Sequence, residues 1–535
     1  MFYINRFFFS ISNQLRKFYL NSKIYDNKIS KIDNKNLIYK PSPHLLSSLI
    51  KYQKKVRIED FILDDVWCNE NIGAKEYRGL HNFYWFFSLD LKSSKQTTQT
   101  IIANWINSNN KYNNKSWNFD LTAKRIIAWL SCHNLTYENS GQNYRDNFNK
   151  IIQKQTNHLI NEINKSNSVD DKLIGCASVI LVGLCYQNEK NYLSFGSTFL
   201  KKISKLVLDN QGFPKSRNIK QLVLYLKYFV IIREWFKESQ VNIPEHIDET
   251  IYYLGQGYAF FWKNPESDFL FNGNNLSNNN EFDNYLKRLG YKFKSENQEF
   301  GGYTILRNKK ICLTMDTGSS PNLKFTKDYQ SGALSFEVIS SGQKLISNCG
   351  YYKKRSSKLN QVSKSSAAQS TLVIDDKSSC NFTKLNKTWL VKKGLKIIKK
   401  KIVYEKNYWK INASHDGYLK KYNSIHEREI EFYPEQMTFV GVDKIIKRKT
   451  NYNYKFDIRF HVEPNVKLMK TQDNKTILIE LNDEGWKFTC NNYDIDIDNG
   501  LYFGNKNLYA ENQNIFITGI SNNQIENIKW EIKKI

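Results

Sequence analysis

The hydrophobic period of this 535-residue chain changes once, and that change limits the folds open to it. From about residue 95 to 263 the apolar residues recur at helical spacing. Seven segments follow that period: TTQTIIANWINSN, LTAKRIIAWLSCHNL, YRDNFNKIIQKQTNHLINEIN, DDKLIGCASVILVGLCYQ, LSFGSTFLKKISKLVL, IKQLVLYLKYFVIIREWF and PEHIDETIYYLGQGYAFFWK. Those at 173–187 and 219–236 are apolar nearly all round, so they are expected to be inner helices covered on both sides, as in a double-layered toroid. Beyond about residue 300 the period becomes two. Leu334, Phe336 and Val338 alternate with polar neighbours, as do Phe456, Ile458, Phe460 and Val462, and then Ile477, Ile479 and Leu481. With turn signals such as SSGQ and NDEG between the runs, residues 301–535 read as a large antiparallel β-sandwich. The expected fold class is α+β and multidomain: an N-terminal extension (1–60), a helical (α/α) toroid (61–263), an Asn-, Ser- and Gly-rich linker (264–300) and the β-sandwich (301–535).

Composition narrows the function classes. Lysine and arginine total 79 against 52 acidic residues, a net charge of +27 that favours polyanionic partners. No nucleic-acid-binding module accompanies the charge, and the lysines of KKGLKIIKKKIVYEK (392–406) alternate with apolar residues as in a strand with one wet face. Nucleic acid is therefore not the expected partner. No apolar run has the length of a membrane span. The N-terminal MFYINRFFFSISNQLRKFYLN is broken by Arg6 and does not form a standard signal peptide, although residues 1–20 have the aromatic and basic content of a membrane-surface contact. Eight cysteines without a C-x-x-C pair point to buried thiols and not to a disulfide framework or a cysteine metal site.

Two motif groups concentrate reactive side chains. ICLTMDTGSS (311–320) presents Asp316 as an aspartic protease would, but that chemistry needs a second carboxylate to share the proton, and no second D-[TS]-G occurs. NASHDGYLKKYNSIHERE (412–429) and FDIRFHVEP (456–464) hold His415, His426 and His461, three of eight histidines, with Tyr418, Arg428 and Arg459. Strand alternation puts Asp457, Arg459 and His461 on one face. No H-x-H or H-E-x-x-H spacing calls for zinc.

The ordered set LHNFYWFFSLDL, LTAKRIIAWL, NQGFPKSRNIKQLVLYL, GALSFEVISSGQKLISNCG, SSAAQSTLVIDD, HDGY, IHERE, IRFHVEP and LYFGNKN resembles the heparinase II/III-like family, and most closely a bacterial branch of it. The resemblance covers all but residues 1 to about 60. It implies a polysaccharide lyase that cleaves an acidic, uronate-containing glycan by β-elimination, with a location in the cell envelope or periplasm; a cytoplasmic location is the alternative. It implies Gln330, Gln369, His415, Tyr418 and His426 as catalytic positions, and Arg217, Asn218, Arg428, Arg459 and His461 as substrate-binding ones. Asn218 is equally placed to cap the helix that IKQLVLYL begins. Histidine is usual in the family where this chain has Gln330 and Gln369. Glutamine can hold a carboxylate but cannot take a proton near neutral pH. Family members that bind zinc use the position of Gln369 and an acidic position that is Asn348 here, so no metal or other cofactor is expected. The family's tyrosine is not assigned among Tyr225, Tyr228, Tyr253 and Tyr258. The double change to glutamine also implies an alternative, a glycan-binding pseudoenzyme.

Overall fold

Helices come first along the chain and antiparallel strands follow, in the order that the change of period predicts. The computed structural model describes residues 12, 14–32, 36–42, 46, 67, 73–90, 92–166, 168–186, 190–262, 268–276, 279–355, 357–385, 388–448, 452–505 and 508–535. The proposed membrane-surface contact of residues 1–20 falls largely on 1–11 and 13, outside the described residues.

The helices are α1 (Lys23–Ile29), α2 (Ala74–His81), α3 (Lys95–Asn109), α4 (Phe119–Ser131), α5 (His133–Thr136), α6 (Gln142–Glu162), α7 (Val169–Cys185), α8 (Lys190–Val207), α9 (Ile219–Glu238), α10 (Glu245–Phe261), α11 (Asn280–Arg288), α12 (Lys358–Lys364) and α13 (Leu419–Tyr422). Each of the seven segments drawn from the sequence is helical. Local chemistry sets their starts. Ser94 and Ser168 accept from the Thr97 and Asp171 amides at the heads of α3 and α7, and Asp170 and Asp171 sit in the first turn of α7, where the helix dipole favours negative charge. Every residue of α7 from Leu173 to Cys185 is buried, as its all-round apolar sequence requires.

By internal contacts the chain groups into two units: residues 1–207, 224–252 and 281–291, and residues 208–223, 253–280 and 292–535. These differ from the divisions at 60, 263 and 300. Part of the expected N-terminal extension belongs to the helical unit, where Tyr25 of α1 is buried and bonds His158 Nδ1 at 2.7 Å. The expected linker is largely structure: Phe269 to Asn275 are buried and α11 follows. Asn274 and Asn275 pair with backbone, as Asn274 Nδ2 does with Phe269 O at 2.7 Å, so a composition typical of loops is used here to satisfy buried chain.

The second unit is built on antiparallel strands. A five-stranded sheet has the order β1 (Glu299–Phe300), β2 (Tyr303–Arg307), β3 (Ile311–Asp316), β4 (Phe336–Ser340), β5 (Gln343–Ile346). A four-stranded sheet runs β17 (Ile495–Tyr502), β18 (Ala510–Ser521), β13 (Tyr454–His461), β6 (Leu372–Ile374). The eight-stranded sheet runs β14 (Lys467–Lys470), β15 (Thr476–Leu481), β16 (Glu484–Thr489), β19 (Ile525–Lys534), β12 (Thr438–Lys447), β11 (Ser424–Tyr433), β10 (Trp409–His415), β9 (Ile397–Tyr404). β7 (Asn381–Leu385) and β8 (Thr388–Lys393) form a separate hairpin.

One apolar core joins the three larger sheets. Trp530 of β19 stacks on Phe336 of β4, with ring centres 5.5 Å apart, and meets Phe460 of β13 edge-on at 5.0 Å. Trp530 lies over Gly441 of β12, where a Cβ would fall 2.0 Å from the indole, so only glycine fits beneath it. A bridge between Ser347 and His461 ties the five-stranded sheet to β13.

Candidate functional site

The second unit carries all ten residues named as candidates: three form a cluster of amides, five belong to the frame that holds one of those amides in place, and Arg217 and Arg459 pair elsewhere.

Gln330 and Gln369 converge. Both side-chain Nε2 atoms donate to Ser363 O, at 2.6 and 3.2 Å. Gln330 also donates to Gly350 O at 2.9 Å and accepts from Gly273 N at 3.0 Å, which uses both of its N–H groups. Among the described residues Gln369 makes only its one side-chain bond, leaving Oε1 and an N–H uncommitted. Asn218 adjoins the same place: a Cβ on Gly273 would lie 2.7 Å from Asn218 Nδ2. Asn218 also heads α9, its Oδ1 accepting from Lys220 N at 2.9 Å, so the capping role expected from sequence is present and Nδ2 points away from it. The three amides are 1–5% exposed.

Arg217 is not available to a substrate carboxylate. Its guanidinium donates to Gly301 O, Gly302 O, Gly318 O and Asp316 Oδ1 and lies over the Tyr303 ring. Burial would lower its pKa, but Asp316 outweighs that and raises it. Gly318 is needed here because a Cβ would sit 2.3 Å from Arg217 Cζ. Arg217 itself has φ of +60°, a strained position for an arginine, stabilised by this ring of partners. The lone Asp-Thr-Gly aspartate thus serves as the buried counter-ion of Arg217.

Three of the remaining candidates grip the segment that carries Gln369. His461 Nε2 bonds Ala367 O at 2.9 Å, Arg428 Nη1 bonds Ser370 O at 2.6 Å, and Tyr418 OH bonds Leu372 O at 2.9 Å. Behind them runs a buried relay. Gly417 N–H donates to His415 Nδ1, leaving His415 Nε2–H to donate to His426 Nδ1 at 3.3 Å, and His426 Nε2–H donates to Asp443 Oδ1 at 2.7 Å. Arg428 forks onto both Asp443 oxygens at 2.8 and 3.0 Å, and Trp530 Nε1 adds a third donor at 2.9 Å. His415, Tyr418, His426 and Arg428 are 0–1% exposed, so they lie inside the unit and not on an open face. Burial lowers the pKa of both His415 and His426 and keeps the rings neutral. Burial would raise that of Asp443, but Arg428 and His426 overcome it and hold the carboxylate ionised. His461 is likewise neutral, its pKa pushed down by burial to about 4, while burial raises that of its partner Cys349 to about 12. Arg459 turns to Asp498 and Asn514 on the outer face of the four-stranded sheet.

Asp443, on which His426, Arg428 and Trp530 depend, is not among the candidates read from the sequence. The signal was available: Asp443 falls in the inward phase of β12 with Phe439, Gly441 and Ile445, where an acid needs a buried partner. The pair of Asp328 with Arg355 and Tyr351 beside Gly273 is not among them either, since these residues lie in loops and carry no periodic signal.

The residues at the zinc positions do not suit the metal. Gln369 donates its amide to Ser363 O, and Asn348 accepts from Ser370 N at 2.8 Å while its Nδ2 donates to Glu337. Neutral amides bound to protein partners are not the thiolate, imidazole and carboxylate donors that zinc takes. The tyrosines left open in the sequence are spread out: Tyr225 donates to Asp170, Tyr228 bonds Tyr84, Tyr258 stacks on Trp262 and Tyr253 is 38% exposed.

Known proteins bear on the same region. Residues 294–531 match the model of the heparinase II/III-like C-terminal domain. By that match, this part of the chain is similar to a heparinase II/III-like C-terminal domain. Its match takes in Gln330, Gln369 and the whole Arg428–Asp443 frame. A crystal structure of heparinase III superposes with a TM-score of 0.69 at 14% identity, covering 96% of this chain and 89% of that one. The heparan sulfate lyase HepC from Pedobacter heparinus superposes with a TM-score of 0.65 at 11% identity, covering 96% and 83%. At such identities the likeness is one of fold. No curated protein matches the sequence.

Proposed function

We propose that this protein is a polysaccharide lyase that cleaves a uronate-containing glycan by β-elimination at the cell envelope. The observation that supports it is the cluster of Asn218, Gln330 and Gln369 on a heparinase II/III-like domain. Breaking a 4-linked uronate removes the proton at C5, next to the carboxylate, and expels the C4 oxygen, so negative charge accumulates on the carboxylate. Fixed N–H donors lower the barrier by neutralising that charge as it develops. The uncommitted amide groups of Asn218 and Gln369 are of that kind, and Gln330 donates to the same Ser363 carbonyl as Gln369. Glutamine cannot accept the C5 proton, so a tyrosine is base and acid in this reading.

A second reading, a glycan-binding pseudoenzyme, is favoured by one observation. The tyrosines of the amide cluster are committed: Tyr303 OH donates to Arg217 O and Tyr351 OH to Asp328, and burial raises the pKa of both. One experiment separates the two. Purified protein is followed by the ultraviolet absorbance of unsaturated uronate against alginate, glycosaminoglycans and other acidic glycans. A rise proportional to protein concentration is expected; a flat trace with measurable glycan binding establishes the pseudoenzyme, and neither signal rejects both.

A further inference from the structure

The helical unit contains a buried cation with no counter-ion among the described residues. Arg125 of α4 is 0% exposed, and its partners are neutral: Nε donates to Gln155 Oε1, Nη1 to the His81 and Ser116 carbonyls, Nη2 to Thr122 Oγ1, with the Trp105 ring 4.0 Å away. No acidic side chain among the described residues pairs with it; Asp120, on the same helix, is taken by Arg78 and Lys124. Burial pulls even this guanidinium down to about 9, and burial, with the Arg125 charge adding to it, lowers His81 and His158 to about 3. An ion removed from water without a partner is strongly disfavoured.

The residues around it have donors to spare. Trp105 Nε1 donates to His81 Nδ1 at 3.1 Å, so the neutral ring carries its proton on Nε2, which is buried and has no acceptor. Gln155 Nε2 is buried and unsatisfied too, and its Oε1 touches the guanidinium. One Nη2–H of Arg125 is also uncommitted among the described residues. Arg125 thus bonds both Gln155 Oε1 and the His81 carbonyl, and the three residues offer N–H groups and one unbalanced positive charge, with the Tyr77 hydroxyl, itself bonded to Ser116, as the neighbouring neutral group.

We propose that Arg125, His81 and Gln155 bind a small monovalent inorganic anion of the halide class inside the helical unit. A single negative charge balances the site, and a ligand that only accepts satisfies all three donors. Buried water, the other occupant of polar interiors, would satisfy the donors but leave the charge.

The test uses the full chain, unfolded by heat at constant ionic strength in sodium chloride, sodium bromide or sodium gluconate. Halide should raise Tm saturably over gluconate, each tenfold increase above its dissociation constant multiplying the folded-to-unfolded ratio by about ten. Gln155→Glu places a carboxylate beside Arg125 Nε, so that variant should be as stable in gluconate as in halide. Identical wild-type curves in all three salts, or a halide effect undiminished in Gln155→Glu, overturns the proposal. Neither outcome depends on lyase activity.

Discussion

Gln369 is placed by other side chains more than by its own. His461, Arg428 and Tyr418 each hold a carbonyl within three residues of it, and Arg428 is in turn held by Asp443. Asp443→Asn leaves the Arg428 cation and the His426 relay without their anion. Removing one partner of a buried pair costs about 3–5 kcal/mol, and urea unfolding should show a loss of that size. Gln369→Ala gives up one internal hydrogen bond, about 1 kcal/mol, and should leave the unfolding midpoint nearly in place while glycan affinity drops. Unchanged affinity in the folded variant removes Gln369 from the site. The buried histidines predict a pH dependence. His81 and His158 titrate near 3 and His461 near 4 in the folded chain, against about 6.5 when unfolded. Between those values the unfolded chain binds protons that the folded chain does not. Stability is therefore full above pH 6.5 and falls as pH drops toward 4, by about 1.4 kcal/mol per unit for each histidine. Unfolding midpoints flat from pH 7 to 5 would contradict neutral, buried rings.

Among the elements, α9 has two jobs concentrated in the residue that caps it. Asn218 Oδ1 caps the helix and Nδ2 faces Gly273 beside the glutamines, so the two roles separate by substitution. Asn218→Asp keeps the acceptor and loses the donor: stability should hold while glycan turnover or binding falls at least tenfold. Asn218→Ala loses both and should also destabilise by about 1 kcal/mol. Stability and function measured on the pair decide whether the amide is more than a cap. The strands show what periodicity can report. β13 and the β15–β16 hairpin appear where alternation put them, with Phe456, Ile458 and Phe460 inward. The lysine-rich run is a strand as expected, but not one with a single wet face: β9 is an edge strand whose successive Ile398, Lys399, Lys400 and Lys401 are all exposed, and the lysines are the charge pattern that keeps an open edge from pairing with another sheet.

On the scale of the whole molecule, the charge of +27 supports an acidic polymer as partner, and binding through it should weaken on the order of tenfold or more between 50 and 500 mM salt as the field is screened. Salt-independent binding would instead point to recognition by amides and rings. Fold class was legible in the sequence because period and burial are local consequences of which residues repeat: α7 could only be an inner helix, and β13 only a half-buried strand. The order of the motifs also singled out Asn218, Gln330 and Gln369, whose amides the structure gathers around Gly273 and the Ser363 carbonyl. The roles of the charged and aromatic candidates were not legible. Arg217 and Asp316 stand 99 positions apart, and Arg428 meets Asp443 only when β11 pairs with β12 in register. Whether a histidine or arginine faces a substrate or braces a loop depends on burial and on partners distant in the chain, and those are set when the sheets close over a common core.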